Sequence, residues 1–578
     1  MASVADGCDT LAVMSANLFD SLLPRDDRRP AFRRPFLRRP GLPTLTYGDV
    51  DDRSARFAAA LVGLGVGPGD RVAAQVDKSA DAVALYLACL RTGAVLLPLN
   101  TAYTVGEVAF FVGDATPTVV VARPATLDDL APSVPAGSAG FALVELGSDG
   151  SGSLATLADA ADPFDDVIDR DADDLAAMLY TSGTTGRSKG AMLTHANLES
   201  NARALHRIWG FDDGAGDVLL HTLPIFHVHG LFVALHCAML GGDEVVFLPA
   251  FDPATVVEHL PASTVMMGVP TQYTRLLAHD GFTSEVCSSI RLFTSGSAPM
   301  TEAVHAEFEE RTGIRILERY GMTEAGMITS NPYDGERVPG TVGFPLPDVD
   351  LRVADDEGSE VATGETGVVE IRSPGLFAGY WNLPVKTAAE HRDGGWFVTG
   401  DVGSVDAEGR LTLEGRSSDM IISGGYNVYP KEIEMILDEV DGVIETAVVG
   451  VPHPDFGEAV VAVVVAAGRP AGGARDDGVG GDDGDGDGGD CGGDDGDGDG
   501  DGDGGGVGVD RGVDDGGGVR RSAADDALVS LLADALDGVL ARFKHPKAYV
   551  VVDSLPRNAM SKIQKADLRR RHADLFGR

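Results

Sequence analysis

Lysine is scarce in this 578-residue chain: eight of its 46 basic side chains are lysine, against 89 acidic ones, for a net charge of −43. A surface that negative repels phosphate backbones and anionic lipid headgroups, which argues against nucleic acid or a membrane surface as a partner. Long apolar runs are missing too. The most apolar segment, Ala82 to Leu99, is interrupted by Arg91 and Gly93 and falls short of the roughly 18 apolar residues a membrane span requires. No charged-then-apolar secretory pattern opens the chain. The cysteines (Cys8, Cys89, Cys237, Cys287, Cys491) are odd in number and never paired at metal-ligand spacing, which argues against a disulfide framework or a cysteine-bound metal. The expectation is a reducing, cytoplasmic setting.

What the chain has instead is length, carboxylate and glycine. Its length is too great for one ordinary core and fits a large α/β body with a smaller attached domain. Residues 471–520 hold 23 Gly, 16 Asp and 3 Arg, yet about −30 of the charge lies on the rest of the chain. A carboxylate-rich, lysine-poor surface is tolerated where salt screens its self-repulsion, so a halophilic source is expected, and unfolding in dilute buffer tests it. The Gly/Asp tract has almost no large apolar side chains with which to offset ordering entropy, and is expected to be a disordered surface loop. A calcium-binding nonapeptide repeat would need a regularly placed apolar residue that the tract lacks.

From about residue 45, β-rich runs (Arg71 to Gln75, Ala94 to Pro98) alternate with helical patterns (Ser54 to Leu64, Ala80 to Arg91), the rhythm of βα units on a largely parallel sheet. It returns at Val218 to Leu223, Glu244 to Leu248, Thr264 to Val269 and Leu292 to Ser295. After about Thr341 short strands with turns take over, as at Gly367 to Ser373 and Arg410 to Glu414. A smaller α/β unit begins near Arg416, its helix opening at Pro430 and continuing through Ile433, Ile436 and Leu437.

The strongest local signal is Thr181-Ser182-Gly183-Thr184-Thr185-Gly186-Arg187-Ser188-Lys189-Gly190, following the apolar run Leu175 to Leu179. Glycines let backbone approach a phosphate, hydroxyls and amides donate to its oxygens, and lysine adds a point charge. It is not a P-loop, because Ser188 stands where that motif needs Gly and Gly190 where it needs the magnesium-binding Ser/Thr.

With Arg319-Tyr320-Gly321-Met322-Thr323-Glu324, Thr399-Gly400-Asp401, Gly415-Arg416 and Pro556-Arg557-Asn558-Ala559-Met560-Ser561-Lys562, this loop resembles the adenylate-forming acyl-CoA synthetase superfamily. The resemblance runs from about residue 15 to 572, outside the Gly/Asp tract. It implies an α/β N-terminal adenylation domain over 1–415, of βα units and β-structure, and a mobile α+β lid over 416–578. The implied reaction is ATP-dependent, AMP-forming ligation of a carboxylic acid to coenzyme A through an acyl-adenylate. An anion attacks an anion there, so neutralising charge and fixing alignment are the main tasks.

The resemblance also implies roles for particular residues. Thr181, Ser182, Thr184, Thr185 and Lys189, with Gly183 and Gly186, would hold the β- and γ-phosphates of ATP. Tyr320 would stack on adenine beside Gly321 and Met322, Thr323 would contact the α-phosphate, and Glu324 would hold Mg2+, a hard cation suited to carboxylate oxygen. Gly296, Ser297 and Ala298 would form the adenine-pocket turn. Asp401 would accept both ribose hydroxyls, and Arg416 would fix ribose and phosphates beside a hinge at Ser418. Lys562 would stabilise charge during adenylation. Then the lid would turn so that a different face, with Gly424, Gly425 and Tyr426, lines the pantetheine tunnel for coenzyme A. Ser561, where the family usually has Gly, and Ser418, where it usually has Asp or Lys, are departures that bear on lid timing.

Three segments, Leu223 to Leu231, Val269 to Leu277 and Thr329 to Tyr333, look like malonyl-CoA synthetases within that superfamily. A dicarboxylate brings a second anion that needs a cation or several donors. Arg275 could grip it bidentately and His229 could donate to it, or Arg275 could lie on a helix surface and pair with a carboxylate. His227 and His229 are expected to line the acyl pocket, on one face if the segment is a strand, rather than to bind metal. A medium- or long-chain fatty-acyl or aryl-acyl-CoA ligase would run the same two half-reactions. A luciferase-like oxidoreductase would need an oxygen-reactive substrate of which the sequence gives no sign. It is silent on oligomeric state.

Overall fold

The computed structural model describes residues 16–23, 30–133, 140–181, 188–211, 216–298, 300–416, 419–423, 426–428, 430–454, 456–467, 523–537, 539–540, 542–558 and 562–576. The chain divides into two compact units, Met1–Ser418 with Ala559–Lys562, and Asp419–Asn558 with Ile563–Arg578. The Gly/Asp tract expected to form a disordered loop lies outside the described residues.

The larger unit is built on two mainly parallel sheets and a smaller antiparallel one. One sheet has seven strands, with Leu175–Thr181, Val95–Pro98, Arg71–Gln75, Val119–Ala122 and Ala142–Glu145 running parallel. Lys189–Thr194 then pairs antiparallel with Leu175–Thr181, and Gly379–Tyr380 with Lys189–Thr194. In the nine-stranded sheet, Leu317–Met322, Leu292–Ser295, Val265–Gly268, Val218–His221 and Glu244–Phe247 are consecutive parallel neighbours. These central strands are nearly continuous apolar runs because both faces are covered. The antiparallel sheet contains Gly367–Arg372, Trp396–Val405 and Leu411–Arg416.

Helix ends follow local chemistry. Thr46 and Asp49 form a reciprocal capping box that opens Tyr47–Gly63. Ser79 caps Ala80–Thr92, which ends at Gly93 in the left-handed conformation, φ 70°. That second helix is buried almost all round and shares one core with Val72, Leu96, Leu219 and Val245 of both parallel sheets. Burying each such Leu or Val is worth about 1.5–3 kcal/mol. Arg91, which interrupts the apolar run in sequence, is also buried. It pairs with Asp51 and lies 4.5 Å over the Phe19 ring. Among the described residues no helix is long and apolar enough to cross a membrane.

The smaller unit rests on a long hairpin, Val443–His453 with Gly457–Ala466, joined in parallel by Ala548–Val552. Side-chain alternation divides its core. Val448, Val460, Ala462 and Val464 face Ile433, Leu437 and Leu532 of the helices Pro430–Leu437 and Ala523–Leu536. Ala447, Val449, Val461 and Val463 pack with Leu555 and Leu568.

Candidate active site

Residues from several strand ends of the larger unit converge on one cluster. Thr181 ends one strand and Lys189 begins the next, directly opposite it in antiparallel register. The intervening Ser182, Gly183, Thr184, Thr185 and Gly186 lie outside the described residues. Leu317–Met322 and Gly326–Ser330 form a hairpin whose turn carries Thr323 and Glu324. Gly321 is needed there, because a Cβ would stand 2.3 Å from the Gly326 carbonyl oxygen. The register pairs Asp401 with Arg416.

These groups are already hydrogen-bonded to one another. Glu324, 7% exposed, accepts at Oε1 from the Tyr380 hydroxyl (3.0 Å) and the Thr181 hydroxyl (3.3 Å). The Lys189 amine donates to Glu390 Oε1 at 3.3 Å and lies 4.2 Å from the centre of the Tyr380 ring. Asp401 accepts from the Tyr320 hydroxyl at one oxygen and from Arg416 Nε at the other, 3.1 Å away. Burial and the Asp401 charge hold the Tyr320 hydroxyl well above its usual pKa, so it stays a donor. Lys562 groups with the larger unit. The residue is exposed as a whole, yet desolvation and the Arg416 charge lower the pKa of its amine, while Asp401 and Glu324 draw it back up.

A second cluster has the opposite character. Arg319, one residue before Tyr320 on the same strand, is 2% exposed, and its Nε and Nη2 have no hydrogen-bond partner among the described residues. Burial lowers its pKa to about 10, leaving it charged at neutral pH. Gly296 makes room for it, since a Cβ there would meet the guanidinium at 2.2 Å. Ser297 follows in the left-handed region, φ 69°, strained for a residue other than glycine, and Ala298 is exposed. Both ring nitrogens of buried His229 lack hydrogen-bond partners among the described residues. Burial and the Arg319 charge hold it neutral. His227 is likewise lowered, to about 3, by burial and by the charges of Lys562 and Arg319.

The two histidines do not lie on a strand. His229 begins a π-helical turn, His229–Leu235, and its backbone N–H donates to His227 Nδ1 at 3.3 Å. Gly230 is obligatory in that turn: a Cβ would stand 2.0 Å from the Pro224 carbonyl oxygen. No group of three His, Cys, Asp or Glu suited to a metal occurs among the described residues.

Arg275 is not brought to this cluster. It sits on the exposed face of the helix Pro270–Leu277, 5.0 Å over the Phe251 ring, while Tyr273 and Leu276 take the buried face. Arg275 thus lies on the helix surface, over the Phe251 ring, and the buried arginine of this cluster is Arg319, to which the motif resemblance gives no role. Its signal was an arginine alternating with Leu317 on an otherwise buried strand. Glu390 and Tyr380 were missed as well. Ser418, Gly424 and Gly425 lie outside the described residues, and Tyr426 is described only as opening the strand Tyr426–Val428.

A family described as AMP-binding enzyme matches residues 25–381, and one described as AMP-binding enzyme C-terminal domain matches residues 432–477. A feruloyl-CoA synthase from Amycolatopsis sp. is 36% identical over 446 residues, 76% of this chain and 86% of that protein. A malonate–CoA ligase from Arabidopsis thaliana is 31% identical over 533 residues, 88% of this chain and 79% of that one. The crystal structure of ATP-bound MatB from Rhodopseudomonas palustris is 44% identical, with a TM-score of 0.84 over 97% of this chain and 100% of that one.

Proposed function

The chain belongs to the family of AMP-binding enzymes, and from that premise we propose that it joins malonate to coenzyme A in two steps. In the first, a malonate carboxylate attacks the α-phosphate of ATP, forming malonyl-adenylate and releasing pyrophosphate. In the second, the coenzyme A thiol attacks the acyl carbon and AMP leaves.

On this reading Thr181, Lys189 and the loop between them hold the terminal phosphates, Tyr320 packs on adenine, Asp401 takes the ribose hydroxyls and Thr323 contacts the α-phosphate. Glu324 fits a magnesium ligand, being a buried carboxylate whose oxygen two hydroxyls now share; Mg2+ there would offset phosphate charge. Lys562 would supply positive charge between the carboxylate and the α-phosphate.

One observation carries the choice of acid: a charged, buried Arg319 with two nitrogens, and a neutral His229 with both ring nitrogens, that find no hydrogen-bond partner among the described residues. A long alkyl chain set against these groups would leave those donors without acceptors. The distal carboxylate of malonate accepts two hydrogen bonds from a guanidinium and a third from an imidazole N–H. The malonate–CoA ligase relative supports the same reading. The feruloyl-CoA synthase likeness supports an aryl-acyl alternative, whose substrate lacks the second carboxylate.

The test is AMP formation with ATP, Mg2+ and coenzyme A across malonate, butyrate, octanoate and ferulate. Malonate is expected to give the highest kcat/KM. A higher value for ferulate or octanoate would overturn the assignment and leave the ligase chemistry standing.

A further inference from the structure

Glu390 lies just past the short helix Pro384–Ala389 and serves two ammonium groups with one oxygen. Its Oε1 is 3.3 Å from the Lys189 amine and 2.8 Å from that of Lys386, four residues earlier. Lys189 is the more enclosed, with its side chain 11% exposed against 38% for Lys386. Tyr380, whose hydroxyl donates to Glu324, holds the Lys189 amine 4.2 Å from the centre of its ring. This network therefore links the lysine and the carboxylate assigned above to the phosphates and to Mg2+.

We propose that Glu390 is an anionic place-holder for the terminal phosphate of ATP, neutralising Lys189 in the empty enzyme and releasing it when the nucleotide arrives. The proposal rests on the nucleotide-site reading above. An enclosed ammonium with no counterion is unfavourable, so an empty phosphate site needs an internal anion. The Lys189 contact is the longer of the two at Glu390 and the easier to break. Glu390 is not stranded by the exchange, because Lys386 stays with it. Its charge then stands beside the incoming phosphate and opposes it, so Glu390 trades ATP affinity for a settled empty state.

The test is calorimetric titration of the full-length chain with ATP and Mg2+ in the absence of acid, alongside steady-state kinetics. Glu390→Gln is expected to tighten ATP binding about three- to tenfold, with the effect falling on KM for ATP rather than on kcat. The thermal midpoint of its unliganded form falls, while the rise on adding ATP grows, a pair of changes that a merely structural role would not produce. Glu390→Asp, which keeps the charge, moves ATP affinity back toward wild type. Lys386→Gln is expected to weaken ATP binding several-fold, since releasing Lys189 would then leave Glu390 alone, and this variant serves if Glu390→Gln does not fold. Unchanged or weaker ATP binding in folded Glu390→Gln, or unchanged binding in Lys386→Gln, overturns the place-holder alone. Absence of ATP binding by the wild-type chain overturns both this proposal and the nucleotide site.

Discussion

On the proposed nucleotide side of the cluster, Lys189 has Glu390, Glu324 has Tyr380 and Thr181, and Asp401 has Tyr320 and Arg416. On the proposed acid side, two nitrogens each of Arg319 and His229 have no hydrogen-bond partner among the described residues. Both regions are enclosed and belong to the same compact unit, so burial alone does not explain the difference. Groups that must exchange partners with a large, tightly held polyanion can afford internal stand-ins. On the proposed function, open donors select for the acid that carries a second carboxylate, because an acid lacking that group leaves them unsatisfied.

The largest expected effect breaks the acid side. Arg319→Met keeps the volume and removes the charge, and stranding a buried carboxylate costs roughly 3–5 kcal/mol. At about 1.4 kcal/mol per tenfold, kcat/KM for malonate falls by two to three and a half orders of magnitude. Butyrate, with no distal anion, is expected to lose little or to improve. Equal losses for both acids would make Arg319 a support of the fold or of the nucleotide site. Arg275→Ala, on the exposed helix face, serves as the contrast and is expected to change malonate selectivity little.

Lys562 feels charges from both regions: Asp401, Glu324 and Arg416 on one side and Arg319 on the other. Lys562→Ala is expected to slow adenylate formation by about 10²–10³-fold, the scale of a lost charge-stabilising donor. Thioester formation from supplied malonyl-adenylate is expected to survive. Pyrophosphate exchange and a coenzyme A half-reaction measure the two steps, and a matching loss in both would refute the division.

Asp243 sharpens the comparison from outside both regions, as a buried group unpaired without a ligand to explain it. Its Oδ1 accepts from the Asp217 N–H at 3.0 Å and its Oδ2 has no hydrogen-bond partner among the described residues. Burial, with the Asp217 charge adding to it, raises its pKa to about 7. The folded pKa lies above the unfolded value of about 3.9. The stability this proton contributes is therefore fully present below about pH 4 and is lost as pH rises through 7. Asp243→Asn is expected to leave the unfolding free energy unchanged near pH 4 and to increase it at pH 8 by on the order of a few kcal/mol, read from denaturant unfolding at the two pH values. A gain independent of pH would show that the carboxyl does not titrate as proposed.

The smallest effect is expected from the acidic tract. Joining the chain across a deletion of residues 471–520 is expected to leave malonate activity in high salt within a few-fold, because that composition has no means of packing on a core. A large loss in a folded deletion variant would give the tract a part in the reaction.

The strands Arg71–Gln75 and Leu292–Ser295 and the helix start at Pro430 are where apolar periodicity and proline chemistry put them. The motifs around Lys189, Glu324 and Asp401 were legible for the same reason, since each is a short run whose residue types state their chemistry locally. The helix around Arg275 was legible in part: Gln272, Tyr273, Leu276 and Leu277 mark its buried face at i, i+1, i+4 and i+5, and Arg275 lies off that stripe. What no local pattern could supply was which distant residues meet. Arg319 points into a space cleared by Gly296, on the neighbouring strand's end, and Lys189 finds its counter-ion 201 residues away at Glu390. Periodicity reports which face of an element is buried. Only the order and register of the strands decide what that face is buried against, and that decides whether a charge is answered from within the chain or left open.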